Sequence, residues 1–336
     1  MRFLFIGDVH IKTDNSEEID ILINEINRIC SENTYDYIIV GGDVMHYHER
    51  LFTQCLNKSL HFLNKMSSIA YTYVLVGNHD YVNNSEFLSE NHWMNSIKNV
   101  NNLKIVDSVI EEKDFILCPY VYPGRFIEAL ETLDSLKCER WINKKIIFAH
   151  QEFRGCKMGA IVSTEGDEWK SEHPFVISGH IHDNQRVGNN IYYPGSPLQH
   201  AFGDSETRVL CDILLEDEEK YPIITDIPLK VPKKRIMKTD IKNLKEITKT
   251  LDSDNKIKIK LDVTNEEFKL FKETKEYKEL IDKGVKIQLS KKKEKLSDLS
   301  EIEDVNFTTI LESIIDNDEP MVREIYNEVV LGLITL

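Results

Sequence analysis

The sequence lacks the long apolar segments that a membrane protein requires. It contains no run of 18 apolar residues, and a membrane-spanning helix needs about that many. At the N-terminus, residues 3–6 are apolar but Gly7 and Asp8 follow at once, so the stretch is too short for the apolar core of a secretory signal. We therefore expect no membrane association and a cytoplasmic location, in a bacterium or a virus-infected host cell, with the nucleus as an open alternative.

Cysteine pairing is also lacking. The six cysteines form no CxxC pair and no short-range framework, which favours reduced thiols over disulfides or a cysteine metal site. Internal repeats and low-complexity segments are absent as well. The hydrophobic fraction of 41% and the charged fraction of 29% are typical of globular proteins. A chain of 336 residues has room for one large domain and a smaller one.

Positive charge is scarce overall, because 42 Lys and Arg stand against 57 Asp and Glu, a formal net charge of −15. That total argues against a protein that coats nucleic acid by bulk charge. The charge is unevenly distributed, however: residues 1–222 carry −14, residues 223–295 carry +8 and residues 296–336 carry −9. This asymmetry predicts an acidic body, a basic module and an acidic tail with different partners. A solvated linker is the alternative for the lysine-rich stretch 291–295.

Short apolar runs alternate with amphipathic stretches in the first 222 residues. The runs are brief, rich in β-branched or aromatic residues, and end at polar or glycine positions, which is typical of buried strands. They lie at 3–6, 37–40, 73–76, 115–117, 146–149 and 175–177, with a further strand at 207–215. Residues 17–30 and 50–66 have helical spacing. The pattern predicts an α/β layered domain.

The basic module has elements of both kinds. They are two helices, at 241–251 and 265–277, and two strands, at 257–261 and 285–289. This mixture predicts a small α+β unit.

The acidic tail contains two amphipathic stretches, 307–315 and 321–331, on either side of a turn that ends in Pro320. Proline at that position suits the first turn of a second helix. Two short helices cannot bury both apolar faces alone, so we expect the tail to need a partner surface. Self-association or a lid element is the alternative.

Oxygen and nitrogen side chains follow most of the predicted strands of the body. The clusters are Asp8-Val9-His10, Gly42-Asp43, Gly77-Asn78-His79-Asp80, His150 and Gly179-His180-Ile181-His182. Because the carboxyl ends of strands in an open α/β sheet share one edge, we expect these clusters to converge. Carboxylate, imidazole and amide ligands suit manganese, iron, zinc or magnesium. Each cluster alone is typical of a turn or a helix cap, but all five in this order predict a metal centre.

These clusters resemble the five motifs of the calcineurin-like metallophosphoesterases. Phosphoprotein phosphatases have GDxxDRG and GNHE, whereas here His46 follows Asp43 by three positions and the third motif ends in Asp80. His46 and the YPGSP segment at 193–197 resemble the SbcD-type DNA repair nucleases, the bacterial and phage branch of the meiotic-recombination nuclease family, and the chain length is similar to that of the compact phage-type members. The resemblance covers essentially the whole chain, is strongest in 1–210 and is weakest past residue 240.

The resemblance implies a fold and a domain division. The expected fold is a layered β-sandwich flanked by helices, as a metallophosphoesterase or nuclease domain at 1–222. A small α+β DNA-capping domain at 223–295 and a C-terminal helical ATPase-binding arm at 296–336 would follow.

The resemblance also implies two divalent metal ions, Mn²⁺ with Mg²⁺ as the alternative. One ion would be held by Asp8, His10, Asp43 and His182, and the other by Asp43, Asn78, His150 and His180, so that Asp43 bridges. His79 would donate a proton to the leaving oxygen or stabilise the transition state. His46 would orient His79 or the scissile phosphate; a surface histidine in a loop is the alternative reading.

The implied function is a DNA exonuclease and single-strand endonuclease in an SbcCD-like complex for double-strand break repair or recombination. Its partners would be DNA on the basic module, an SbcC-type SMC-like ATPase on the arm, and a second copy of the chain through helices at 50–66 and 85–97. Arg154 and Lys157 would contact DNA phosphate or lie in a solvated loop.

Two other classes of function stay open. A small-molecule or cyclic-nucleotide phosphodiesterase of the same superfamily would use the same site without needing the basic module or the tail, and a non-catalytic scaffold would only recruit the ATPase. The remaining histidines match no motif, and we interpret them as surface or core residues; they are His48, His61, His92, His173 and His200.

Overall fold

A computed structural model of the protein describes residues 1–249 and 255–291. The strands are β1 (Arg2–Ile6), β2 (Tyr37–Val40), β3 (Tyr71–Leu75), β4 (Leu103–Val106), β5 (Ile110–Glu111), β6 (Phe115–Cys118), β7 (Ile146–His150), β8 (Lys157–Met158), β9 (Ile161–Val162), β10 (Phe175–Gly179), β11 (Gln185–Val187), β12 (Ile191–Tyr193), β13 (Val209–Leu214), β14 (Ile223–Pro228), β15 (Lys234–Thr239), β16 (Lys256–Val263) and β17 (Lys286–Lys291). The α-helices are α1 (Ser16–Glu32), α2 (Thr53–Ile69), α3 (Phe126–Leu130), α4 (Ile241–Lys249), α5 (Asn265–Lys272) and α6 (Lys275–Asp282). Within this part of the chain, no helix is long and apolar enough to cross a membrane.

Two six-stranded sheets pack face to face. Their strand orders are β14-β13-β1-β2-β3-β4 and β11-β12-β10-β7-β6-β5. Strands β1 to β4 run parallel in the first sheet, as do β6, β7, β10 and β12 in the second. Aromatic side chains fill the space between them; the ring centroids of Phe3 and Phe148 are 5.1 Å apart. The parallel strands of both sheets therefore direct their carboxyl ends into loops that can share one site.

Helices cover the outer faces of the sandwich. α1 buries Ile19, Leu22 and Ile26, which recur every three to four residues along one side of the helix, and α2 joins the same core on the first sheet. α3 and Trp141 cover the second sheet. Each fully buried aliphatic side chain contributes roughly 1.5–3 kcal/mol relative to exposure. The predicted layered sandwich flanked by helices is confirmed.

The first sheet extends past the predicted boundary at residue 222. β14 pairs antiparallel with β13 along its whole length, from Ile223 opposite Leu214 to Pro228 opposite Val209. The backbone between Pro222 and Pro228 thus completes the edge of this sheet. The connection to the next module therefore runs through residues 229–233.

Strands β15, β16 and β17 form a separate three-stranded sheet. Ile257, Ile259 and Leu261 of β16 are buried among side chains of the helices α4 to α6, whereas the lysines that alternate with them are not buried. The helix predicted at 265–277 is two helices, because the Thr274 hydroxyl accepts a hydrogen bond from the Tyr277 N–H and begins α6. The helices predicted in the tail, at 307–315 and 321–331, lie outside the described residues.

The helix predicted at 85–97 as part of a dimer interface is wrong, since only Trp93–Ile97 is helical and that is a 3-10 turn. Instead of a helix, polar side chains in this segment form local hydrogen bonds. The Ser85 N–H donates to Asn83 Oδ1 at 2.8 Å, and Asn91 Nδ2 donates to Glu86 Oε2 at 3.1 Å. Such bonds compete with the backbone pattern of a helix.

Asp107, which follows β4, fastens this segment to the first sheet. Its Oδ2 lies 2.5 Å from Lys98 Nζ and 3.1 Å from His92 Nε2. Burial would raise the pKa of Asp107, but the hydrogen bonds from His92 and Lys98 outweigh it and lower the pKa to about 2. Because an unfolded aspartate titrates at about 3.9, the charged form stabilises the fold above about pH 4, and that stability is lost as the pH falls toward about 2.

We expect Asp107→Asn to reduce the free energy of unfolding by about 1–2 kcal/mol at neutral pH, and by progressively less as the pH falls below about 4. Urea titrations at several pH values measure this. Asp134→Asn, which removes an exposed ion pair with Lys137, is the control and should change nothing. An Asp107→Asn effect that is independent of pH would contradict the electrostatic explanation.

Candidate metal centre

The carboxyl ends of β1, β2, β3, β7 and β10 bring all seven predicted metal ligands together. The loops turn sharply there: His10, Asp43 and His180 have φ angles of +47°, +49° and +79°, in the left-handed region that residues other than glycine rarely adopt. Strained backbone of this kind persists where the surrounding structure holds it, and it clusters at functional sites.

Asp8, after β1, is fully buried. Its Oδ1 accepts a hydrogen bond from the His180 N–H at 3.0 Å and lies 3.5 Å from His150 Nδ1. Its Oδ2 is buried and has no hydrogen-bond partner in the described part of the chain. Burial raises the pKa of Asp8 to about 7. A buried carboxylate oxygen without a partner is costly, and a cation beside it would offset that cost.

Asp43 lies between two groups of ligands. Its Oδ1 accepts a hydrogen bond from the His79 N–H at 2.8 Å and lies 3.4 Å from His150 Nε2, while its Oδ2 lies 3.5 Å from His10 Nε2. Burial would raise the pKa of Asp43, but the positive charge of His150 outweighs it and holds the pKa well below its usual range. One carboxylate thus faces both groups in its charged form.

The two groups are distinct. On one side, Asn78 Oδ1 lies 3.0 Å from both His150 Nε2 and His180 Nδ1. On the other side, His10 Nε2 lies 3.0 Å from His182 Nε2. Asn78, His150 and His180 thus lie together on one side of Asp43, and His10 and His182 lie together on the other.

Burial keeps most of these imidazoles neutral. It lowers the pKa of His182 to about 4, and it lowers the pKa of His10 and of His180 as well. For His150, burial acts in the same direction, but the carboxylate of Asp43 outweighs it and raises the pKa to about 9. A neutral imidazole offers the lone pair that a metal ion binds. This donor set and the unpartnered oxygen of Asp8 fit a pair of divalent cations.

His79 is held in a defined orientation. Its Nδ1 lies 2.7 Å from the carbonyl oxygen of His46, and since a carbonyl only accepts, we assign the proton to Nδ1. The His46 ring lies nearly parallel to that of His79, at 11° with centroids 5.5 Å apart. His46 Nδ1 is 3.3 Å from His10 Nδ1. His46 is therefore part of the site and not an isolated surface histidine.

Sequence reasoning missed two histidines that the structure places here. The His48 ring stacks on that of His79, at 20° with centroids 4.5 Å apart. His200 Nε2 lies 2.5 Å from Ser196 Oγ, and the His200 ring packs edge-on against His10 and His182. The only signals available were the spacing of His48 two residues after His46 and of His200 four residues after Ser196.

Asp80 does not face either group of ligands; it braces their loops. Its carboxylate accepts hydrogen bonds from the backbone N–H groups of Val44 and Met45 at 3.3 Å and of Gly77 at 3.1 Å. Trp93 Nε1 donates to it at 2.9 Å. The loops after β2 and β3 are therefore locked to each other through one buried side chain.

A cleft of about 350 Å³ opens over the cluster. Asp43, Asn78 and His79 line one part of it, and Lys157 and Met158 of the β8–β9 hairpin line another. The predicted proton donor His79 and the predicted ligands Asp43 and Asn78 thus face the same solvent-accessible cleft.

We expect Mn²⁺ to raise the melting temperature by several degrees, because a ligand at 100 times its Kd adds about 2.7 kcal/mol to the folded state. Asp8→Asn should reduce this response. Glu165→Gln, at an exposed position, should not. Thermal unfolding followed by fluorescence, with and without EDTA, measures it. A melting temperature indifferent to both Mn²⁺ and Mg²⁺ would mean that these residues hold no metal.

Comparison with known proteins adds independent findings. The family model of the calcineurin-like phosphoesterases matches residues 1–184, a span that includes every predicted ligand as well as His46 and His79. The chain is 46% identical over 281 residues to 244L of Invertebrate iridescent virus 6, a protein named as a phosphoesterase; this match covers 82% of the chain and 98% of that protein.

A second viral relative and one solved structure also match. The chain is 42% identical over 288 residues to 078R of Invertebrate iridescent virus 3, also named as a phosphoesterase, covering 84% of the chain and 82% of that protein. Among solved structures, Yfce, a phosphoesterase from E. coli, matches with a TM-score of 0.31 and 12% identity, over 68% of this chain and 98% of that one.

Proposed function

This chain belongs to the calcineurin-like phosphoesterase family, and from that premise we propose that it is a Mn²⁺-dependent phosphodiesterase that cleaves DNA. The proposal includes exonuclease and single-strand endonuclease action, in an SbcCD-like complex that serves double-strand break repair or recombination. Two observations support this proposal: the set of oxygen and nitrogen ligands at the site, and the lysine side chains of the basic sheet near it.

The ligands divide between two proposed ions. The first would be held by Asp8, His10, Asp43 and His182, and the second by Asp43, Asn78, His150 and His180. Two bound cations neutralise charge on a phosphodiester and make a water nucleophile available near neutral pH. We propose Mn²⁺ for both positions, with Mg²⁺ as the alternative, because oxygen and imidazole donors suit either ion.

His79 is the proposed proton donor to the leaving oxygen. Its Nδ1–H is engaged by the carbonyl of His46, so Nε2 is the nitrogen that can exchange a proton with a substrate. The side chain lines the cleft, and the nearly parallel rings of His46 and His48 that pack near it limit its rotation. A donor held in one orientation is what general acid catalysis requires.

The observation that carries DNA as the substrate is the position of the basic sheet beside the metal centre. The ammonium groups of Lys258 and Lys286 lie 5.6 and 5.8 Å from the centroid of the Phe202 ring. Phe202 is two residues past His200, whose ring packs against two of the ligands. Positive charge thus continues outward from the site, where a DNA backbone would need it and a small phosphodiester would not.

The proposal is tested by incubating the purified protein with linear duplex DNA, circular single-stranded DNA, a cyclic nucleotide and bis(p-nitrophenyl) phosphate, with Mn²⁺ or Mg²⁺. We expect metal-dependent cleavage of both DNA forms. Brisk turnover of the cyclic nucleotide with no cleavage of either DNA would replace our proposal by a small-molecule phosphodiesterase. Unchanged DNA processing by a His79→Ala variant would favour a non-catalytic scaffold.

We expect the double variant Lys258→Gln/Lys286→Gln to cleave DNA more slowly and with a weaker dependence on salt. The logarithmic salt slope should fall by about one for each lost phosphate contact, while hydrolysis of bis(p-nitrophenyl) phosphate stays constant. Lys220→Gln is the matched control, because Lys220 also lies over an aromatic ring, that of Tyr221. Equal salt slopes in all three proteins would remove the basic sheet from the DNA interface.

The proposed partners follow from other features. The acidic, amphipathic tail at 296–336 is proposed to bind the ATPase, and α2 is proposed to form a homodimer contact, since Leu51 and Phe52 just before it are 49% and 41% exposed. Sedimentation of the wild-type chain and of Leu51→Glu tests the dimer. Co-purification with the ATPase, compared between wild type and Ile310→Asp/Ile314→Asp, tests the tail.

A further inference from the structure

The β8–β9 hairpin is an exposed apolar projection at the edge of the catalytic cleft. All six residues from 157 to 162 are exposed, with Met158 at 39%, Ile161 at 67% and Val162 at 51%. Met158 and Ile161 are direct cross-strand partners, so their side chains lie on the same face of the hairpin. Contiguous exposed apolar side chains of this kind mark interaction sites.

The base of the hairpin is firmly held. The Ser163 N–H donates to the Cys156 carbonyl at 2.8 Å, and the Gly155 N–H donates to the Ser163 carbonyl at 2.9 Å. Gln185 of β11 accepts from the Lys157 N–H at 2.7 Å and donates to the Lys157 carbonyl at 2.8 Å. These hydrogen bonds hold the hairpin in place, and with it the apolar tip formed by Met158 and Ile161.

The hairpin is also connected to the metal centre. The Ser163 hydroxyl donates to Glu152 Oε1, and Glu152 Oε2 lies 3.9 Å from Nε2 of the ligand His180. Lys157 and Met158 line the same cleft as Asp43 and His79. A molecule that contacts Met158 therefore also borders the cleft that Asp43 and His79 line.

Resting on the proposed DNA-cleaving function, we infer that the hairpin contacts the nucleobases flanking the scissile phosphodiester. Met158 and Ile161 would pack on a base that has left its stack, and Lys157 would neutralise the adjoining phosphate. Proteins that unstack bases do so with aliphatic wedges of this type. The hairpin would therefore select DNA ends or single strands, because their bases can be unstacked.

The position of the hairpin favours nucleic acid over a protein partner. A protein seated on Met158 and Ile161 would cover the cleft that Met158 lines and would obstruct access to the metal centre. A nucleotide strand that enters the cleft instead brings phosphate to the ligands and bases to the hairpin at once. The adjoining positive charge of Lys157 is complementary to that strand.

The test compares Met158→Ser/Ile161→Ser with wild type on duplex ends, on a single-stranded oligonucleotide and on bis(p-nitrophenyl) phosphate. We expect kcat/KM on duplex ends to fall about tenfold or more, since the energy of unstacking is no longer offset, with a smaller loss on the single strand. Hydrolysis of the small diester should fall far less than cleavage of duplex ends. Ile223→Ser, at a 49% exposed position on β14, is the control and should match wild type throughout.

A second readout uses a duplex that carries 2-aminopurine at its end. This duplex is bound to the His79→Ala protein, which should bind DNA without cleaving it. Its fluorescence should rise several-fold as the base unstacks, and this rise should vanish when Met158→Ser/Ile161→Ser is added.

A negative result for the hairpin differs from a negative result for the nuclease function. Wild-type cleavage of duplex ends by the hairpin variant overturns the inference and leaves the nuclease proposal standing. An equal loss on DNA and on the small diester would show that the hairpin only supports the metal centre, and a change in sedimentation would show a protein interface. Wild-type protein that hydrolyses the small diester but no DNA would overturn the proposed function itself.

Discussion

Asp43→Asn is expected to abolish metal-dependent phosphodiester hydrolysis. The substitution keeps the shape of the side chain but removes the charge that lies between His10 and His150. Loss of about 4 kcal/mol of transition-state stabilisation corresponds to about a 1,000-fold lower kcat. Hydrolysis of bis(p-nitrophenyl) phosphate with Mn²⁺ measures this without assuming DNA as the substrate.

Asp183→Asn provides the matched control, because Asp183 lines the same cleft but belongs to neither ligand group. Its rate should stay within a few-fold of wild type, and circular dichroism should show both variants folded. Comparable rates for Asp43→Asn and wild type would show that the cluster is not the catalytic centre, whatever the family of the chain.

Gly77→Ala is expected to damage the site through crowding alone. A Cβ atom at position 77 would lie 2.2 Å from Asp43 Oδ1 and 2.4 Å from the Asp43 backbone nitrogen, so the loop after β3 must move away from Asp43. Overpacking of this kind costs about 1–3 kcal/mol of stability. Because the His79 N–H would lose its bond to Asp43, we expect activity to fall much more than tenfold.

Gly124→Ala separates this effect from the general cost of replacing glycine. Position 124 has nothing within 4 Å of an added Cβ, although its φ is +89°, so the variant carries backbone strain without crowding. It should lose some stability and keep wild-type activity. Full activity in Gly77→Ala, measured beside unfolding by urea, would mean that the spacing of the two loops does not limit catalysis.

The layered α/β domain and the convergence of the polar clusters were predictable from short-range sequence patterns, whereas the two-sheet sandwich was implied only by the family resemblance. A run such as residues 37–40 is apolar, β-branched and followed by Gly42 and Asp43, which indicates a buried strand and its terminal loop together. Because the carboxyl ends of parallel strands share one edge of a sheet, Asp8 and His180 could be expected to approach each other, although the structure places β1 and β10 in separate sheets.

Other features depend on contacts that the sequence does not encode locally. β15 was not predicted, because lysine and arginine occupy half of its six positions and conceal the alternation of a strand. The segment at 85–97 has apolar residues at helical spacing, but side chains such as Asn83 and Glu86 bond it into another conformation. His48 and His200 reach the site only because separate loops fold over it.

The joining of Asp8 and His180 has a consequence for the synthesis of the protein. The two residues are 172 positions apart, yet the N–H of one bonds the carboxylate of the other. A nascent chain that ends before β10 contains Asp8, His10, Asp43 and Asn78 but lacks His180 and His182, so neither group of ligands is complete. The candidate metal centre can therefore form only after more than half of the chain has been synthesised, and products that end before β10 lack it.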